Sequence, residues 1–247
     1  FAGNSGIYGA EMCAVEQQVM AAGNAIIIED GLIHSVVESA VAEDEYQSTS
    51  KETEVYSLQG SAVIPGLVDA HTHLLWAGDR SREIRWKQAG IGYADIAERG
   101  GGIAHTVRAT RATSSEELAI DGISRMESAL ANGTTHLEAK SGYGLDTETE
   151  CRLIEIMDRL SNHHNLPSLD ITWLGAHDIA PGMKRSEYVE QILSEQLPAV
   201  LDQGLARSAD VFCEPGWFSC EDSEDILKAA RTGGLSLRMK SCSSISR

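Results

Sequence analysis

Two hydrophobic rhythms divide the chain near residue 62. Beyond it, short apolar, β-compatible runs recur at Val63–Ala70, Thr134–Ala139, Leu169–Leu174, Ala209–Glu214 and Leu235–Lys240, and the intervening stretches carry apolar residues at helical spacing. Ser114-Ser115-Glu116-Glu117 supplies a cap for a helix through Leu118, Ile123 and Met126 to about Leu130. Thr147 to Leu160, with Leu153, Ile154 and Met157 in phase, gives a second, and Ser186–Gln203 and Ser223–Arg231 give two more. Strand, loop and helix in repetition predict a parallel α/β architecture. Before residue 62 the pieces are shorter. Ala25–Ile28 and Leu32–Val37 flank Asp30-Gly31 and read as a hairpin. The acidic stretch from Glu38 to Glu54 reads as a loop, and Val55–Leu58 as a further strand.

A chain of 247 residues can bury one sizeable core, as one or two domains, and its 42% hydrophobic and 23% charged residues are ordinary for a globular protein. No window approaches the roughly eighteen unbroken apolar residues of a membrane span, so the expectation is a cytoplasmic protein with no membrane partner. The formal net charge of −17 repels phosphate backbones and argues against nucleic acid as a partner. An anionic small substrate would then need a local cation. The five cysteines, Cys13, Cys151, Cys213, Cys220 and Cys242, show no Cys-x-x-Cys spacing and read as reduced, mostly buried thiols.

The first apolar run ends in His71-Thr72-His73. Side chains two apart on a strand share a face, and neutral imidazoles are common zinc ligands, so the pair can be half of a metal site. It can equally be two ordinary histidines at a strand end. Working residues of parallel barrels lie at strand C-terminal ends, which here carry His71, His73, Lys140–Leu145, His177 and Glu214. The Gly100-Gly101-Gly102 run permits close backbone approach to a ligand and lacks the Lys-Ser or Lys-Thr of a phosphate loop.

Pro65-Gly66-Leu67-Val68-Asp69-Ala70-His71-Thr72-His73 resembles the first-strand signature of the amidohydrolase superfamily. Ala77-Gly78-Asp79-Arg80, the glycine run leading to Thr106–Arg111, Lys140-Ser141-Gly142-Tyr143-Gly144-Leu145 and Leu174-Gly175-Ala176-His177 together resemble the imidazolonepropionase family. The resemblance implies an α/β fold of the amidohydrolase type, a TIM (β/α)8 barrel that is incomplete here, over residues 63–240. It assigns residues 1–62 to part of a small β-sandwich. It implies metal-dependent hydrolysis of imidazolone propionate to N-formimidoyl-glutamate, with zinc or iron on His71 and His73. Arg80, Tyr143 and His177 would contact substrate, His177 also acting in catalysis, and a homodimer is expected.

The chain departs from the family after Lys240. The family continues with His-Ala-Asp or His-Ala-Glu, whereas Ser241–Arg247 reads as a non-family tail with Cys242 near the place of the third metal histidine. The strand-five acid and the strand-eight aspartate have no counterpart, so the expectation is a truncated and inactive chain. Two alternatives stand beside this reading: another cyclic-amide or amidine amidohydrolase, and a noncatalytic half-barrel remnant.

Overall fold

The computed structural model describes residues 19–20, 22–47, 53–58 and 60–240. The chain divides into two compact units, Phe1–Ile64 and Pro65–Arg247. In the first, β1 (Asn24–Glu29) pairs antiparallel with β2 (Leu32–Glu38). Asp30 and Gly31 turn the hairpin with φ of 50° and 77°, the left-handed pair that an Asp-Gly turn supplies. The expected acidic loop is in part a helix, α1 (Ser39–Gln47). Its alanines and glutamates favour helix, and reading acidity as loop ignored that propensity. Tyr46 donates to Glu29 at 3.4 Å, tying α1 to β1. Val55–Leu58 forms no strand.

The second unit is built on five parallel strands in chain order: β3 (Leu67–Thr72), β4 (Thr134–Lys140), β5 (Ser168–Ala176), β6 (Ser208–Val211) and β7 (Ser236–Leu237). β3 begins four residues later than expected from Val63. Pro65 has no N–H for a ladder, and Gly66 passes so close to the Thr135 side chain that a Cβ would collide with it. β7 is short, yet Lys240 still pairs with Phe212, so the ladder outlasts the named strand.

Helices α2 (Arg82–Gln88), α3 (Tyr93–Glu98) and α4 (Gly102–Ala112) lie between β3 and α5 (Ser115–Ala131). The Ser114–Glu117 capping box starts α5 as the sequence predicts. α6 (Thr147–Ser161) follows β4, with Asp146 accepting from the Thr149 N–H at 2.7 Å. The helix expected at Ser186–Gln203 is α7 (Arg185–Gln191), a π segment (Ile192–Gln196) and α8 (Leu197–Gln203). Pro198 removes a helical donor there, and buried Gln196 instead donates to the Tyr188 hydroxyl at 3.2 Å. α9 (Cys220–Thr232) precedes β7.

The sheet has two unlike faces. Leu137, Ala139, Leu169, Ile171, Trp173, Ala209 and Val211 belong to the core that also holds Leu118, Met126, Leu153, Ile154 and Met157 from α5 and α6. Each such large side chain contributes about 1.5–3 kcal/mol by leaving water. The alternate positions carry Glu138, Lys140, Thr172, Ser208 and Asp210, polar and buried. Cys220 is exposed at the start of α9, against the expectation for the thiols, while Cys151 and Cys213 are half-buried; Cys13 and Cys242 lie outside the described residues. No helix among the described residues is long and apolar enough to cross a membrane.

Candidate functional site

β3 delivers His71, and His73 follows immediately beyond the strand end. Their rings lie 5.9 Å apart, centroid to centroid, in an edge-to-face arrangement. His73 stacks on His177 at 4.5 Å and contacts the Tyr143 ring at 4.6 Å. The chain beyond His73 is pinned from α4 and α5: Arg125 donates to the Leu74 and Trp76 carbonyls at 2.7 and 3.0 Å, and the Thr110 hydroxyl accepts from the Ala77 N–H at 3.0 Å.

Tyr143 is presented by the turn after β4, and a single carboxylate shapes that turn. Glu150, fully buried on α6, accepts from the N–H groups of Gly142, Gly144 and Leu145 at 3.0, 2.7 and 2.9 Å. Gly142 takes φ of 103°, and a Cβ there would meet the Leu174 carbonyl at 2.8 Å. No other residue type suits that position. The Gly142 carbonyl is 2.8 Å from His177 Nδ1, so the histidine after β5 is oriented by the loop that carries Tyr143. With Nδ1–H donating to that carbonyl, Nε2 is the acceptor.

Arg80 stands beyond the pinned segment. Its Nε and one Nη donate to the two carboxylate oxygens of buried Glu83, both at 2.9 Å. Arg80, Ile103, Tyr143, His177, Asp178, Phe212 and Trp217 line one cavity of about 270 Å³. One wall is aromatic, with Phe212 and Trp217 rings 5.5 Å apart, and the cation is at Arg80.

Burial, reinforced by His177 and His71, holds the His73 imidazole well below its ordinary range. Burial brings His177 down to about 4 and also lowers His71. All three rings are therefore neutral near pH 7, the state in which imidazole donates a lone pair. His73 Nδ1 is buried with no hydrogen-bond partner. Two neutral imidazoles one residue apart suit a divalent ion as part of a ligand set. Among the described residues no group of three or more His, Cys, Asp or Glu side chains is arranged to hold one.

No family-level sequence profile matches the chain. Individual proteins do. An imidazolonepropionase of Haloarcula marismortui is 42% identical over 211 residues, covering 85% of this chain and 50% of that protein. One of Shewanella sediminis is 44% identical over 189 residues, 76% of this chain and 46% of its own length, and one of Alkaliphilus metalliredigens is 42% identical over 220 residues, 86% and 52%. Over three quarters or more of its length the chain is similar to imidazolonepropionases. It spans about half the length of the curated relatives it matches.

Beside the site, the chain carries a charged layer that sequence reading missed. Lys140, 1% exposed, lies 2.6 Å from Glu138 and 2.8 Å from Asp210. Arg238 Nη2 donates to Asp170 at 2.7 Å, its Nε lies 2.8 Å from Glu138 without an aligned hydrogen bond, and Thr172 donates to Glu138 at 2.7 Å. With Ala70, His71, Met239 and Lys240, the residues Glu138, Lys140, Asp210 and Arg238 line a second cavity of about 600 Å³. Charged residues at every second position of apolar strands were the available signal. The glycine run also approaches Glu83 closely: a Cβ on Gly101 would meet Glu83 Oε1 at 2.8 Å, and Gly102 N–H donates to it at 2.7 Å.

Proposed function

We propose that the protein of which this chain carries these residues is an imidazolonepropionase, a hydrolase that opens imidazolone propionate to N-formimidoyl-glutamate in histidine degradation. The observation that carries the reading is the convergence of Arg80, Tyr143 and His177 on one cavity beside His71 and His73. A planar five-membered ring suits the aromatic wall, and a propionate tail suits a guanidinium. Similarity to imidazolonepropionases supports the substrate. In this reading the five parallel strands are part of a (β/α)8 barrel, and the β1–β2 hairpin is part of a β-sandwich.

In the reaction, water adds across the ring amide: its oxygen bonds to the carbonyl carbon, the C–N bond breaks, and the departing nitrogen takes a proton. His71 and His73 would be among the ligands of a zinc or iron ion, which when bound would supply an acidified water. Arg80 binds the tail carboxylate and fixes the ring's direction. Tyr143 and Phe212 confine the ring, and Trp217 shields it from solvent. His177, neutral and oriented through Nδ1, offers Nε2 as an acceptor beside the reacting ring. The test is loss of imidazolone absorbance with stoichiometric appearance of N-formimidoyl-glutamate. Turnover that a chelator abolishes and zinc or iron restores is expected; turnover of other cyclic amides in preference to this one would contradict the assignment.

A further inference from the structure

Glu83 is 4% exposed, yet it is neither in the cavity wall nor among the groups assigned to the chemistry. Its carboxylate joins two elements. From the segment just before its own helix, α2, it receives Arg80 through Nε and Nη2, both at 2.9 Å, a bidentate pair that fixes the guanidinium plane. From the opposite side the N–H of Gly102, the first residue of α4, donates to the same Oε1 at 2.7 Å. Gly101 is the space for this, because a Cβ would stand 2.8 Å from that oxygen. The glycine run, Glu83 and Arg80 are therefore one assembly, and Ile103, the next residue of α4, lines the cavity with Arg80.

We propose that Glu83 is a positioning residue for recognition of the substrate's carboxylate, aiming the Arg80 guanidinium into the cavity and registering the start of α4 against it. The inference rests on reading Arg80 as the tail-binding cation. It makes a prediction opposite to simple electrostatics. A carboxylate beside Arg80 lowers the positive potential felt by an anion, so if charge alone mattered its removal would tighten anion binding. If position matters, removal weakens it, because a wandering arginine must be ordered again on binding.

The full chain is titrated calorimetrically with imidazole propionate, which has ring and carboxylate, and with 4-methylimidazole, which has the ring alone. Expected for Glu83→Gln is about tenfold weaker binding of imidazole propionate, the size of one lost charge-assisted hydrogen bond, with 4-methylimidazole unchanged. Glu83→Asp keeps the charge, shortens the reach and should lose affinity in the same way. Adding Glu83→Gln to Arg80→Ala should cost nothing further. Equal or tighter binding of imidazole propionate by Glu83→Gln, or full affinity in Glu83→Asp, would overturn the proposal. A nitrogen NMR readout of the Arg80 Nε–H decides the positioning without any ligand: a distinct, slowly exchanging signal should broaden in Glu83→Gln. Its persistence there would refute the positioning itself, whereas a wild-type chain that prefers 4-methylimidazole would refute the tail assignment beneath it.

Discussion

His177 lies stacked on His73, ring centroids 4.5 Å apart and planes 18° from parallel, while its Nδ1 is held 2.8 Å from the Gly142 carbonyl. Burial in this stack lowers the His177 pKa from 6.5 to about 4. The unfolded chain takes up the proton near 6.5, whereas the folded chain resists it until about 4. Between those values the unfolded state binds more protons, so stability must fall as pH falls across that window. Urea unfolding at pH 7 and pH 5 should show a larger loss for the wild type than for His177→Asn. A His177 imidazole that titrates at its ordinary value by proton NMR would contradict this.

The Tyr143 turn depends on Glu150. Replacing it with Gln leaves one acceptor oxygen for three converging N–H groups, and each orphaned buried donor costs about 1–3 kcal/mol. The expected result is a lower urea midpoint and loss of hydrogen-exchange protection at Gly142, Gly144 and Leu145, ahead of the β4 and β5 amides. Uniform loss across the sheet would show that Glu150 supports the whole unit and not the turn.

Much of this was legible in the chain because periodicity is a local signal. The α5 cap at Ser114, the Asp30-Gly31 turn and the strands β3, β4 and β5 need only neighbours a few residues away. What the sequence hid depends on distant partners. Glu83 looks like one more acid on a solvated helix until Gly102 closes over it, and Glu150 looks like a surface residue of α6 until the turn folds onto it. The π segment at Ile192–Gln196 ends in a buried Gln196 that donates to Tyr188, a pairing that no spacing reveals. The residues of the cavity wall that follow β6, Phe212 and Trp217, carried no motif and are brought there by the fold.

The charged layer on the sheet should be costly to break. Lys140→Met removes the shared partner of Glu138 and Asp210 and leaves two carboxylates buried together. A loss of about 3–5 kcal/mol is expected in chemical denaturation, because an uncompensated buried charge outweighs the pair's own contribution. Replacing Asp210 with Asn in that background should recover part of it. No recovery would mean that the three side chains are not energetically coupled.

The Arg80–Glu83 pair gives a second pH signature. The arginine beside Glu83 holds its carboxyl below the ordinary carboxylate range, so the pair's contribution is complete above that range and is lost as pH falls through the depressed value. Imidazole propionate binding should therefore weaken on strong acidification in the wild type. Protonation of the ligand's own carboxylate weakens binding in both proteins, so the expected difference is a further loss at still lower pH in the wild type that Glu83→Gln lacks, which a titration series at constant ionic strength would show.

The cavity between Arg80 and the Phe212–Trp217 wall is expected to take a planar ring with a carboxylate tail. Trp217 sits in that wall and reports occupancy directly, best in a chain whose other tryptophans, Trp76, Trp86 and Trp173, are replaced by phenylalanine. Titration with imidazole propionate is predicted to give a saturable change in Trp217 fluorescence, weakened at least tenfold by Arg80→Ala, as expected for a lost charged contact. A signal that never saturates, or that saturates equally well without Arg80, would contradict it.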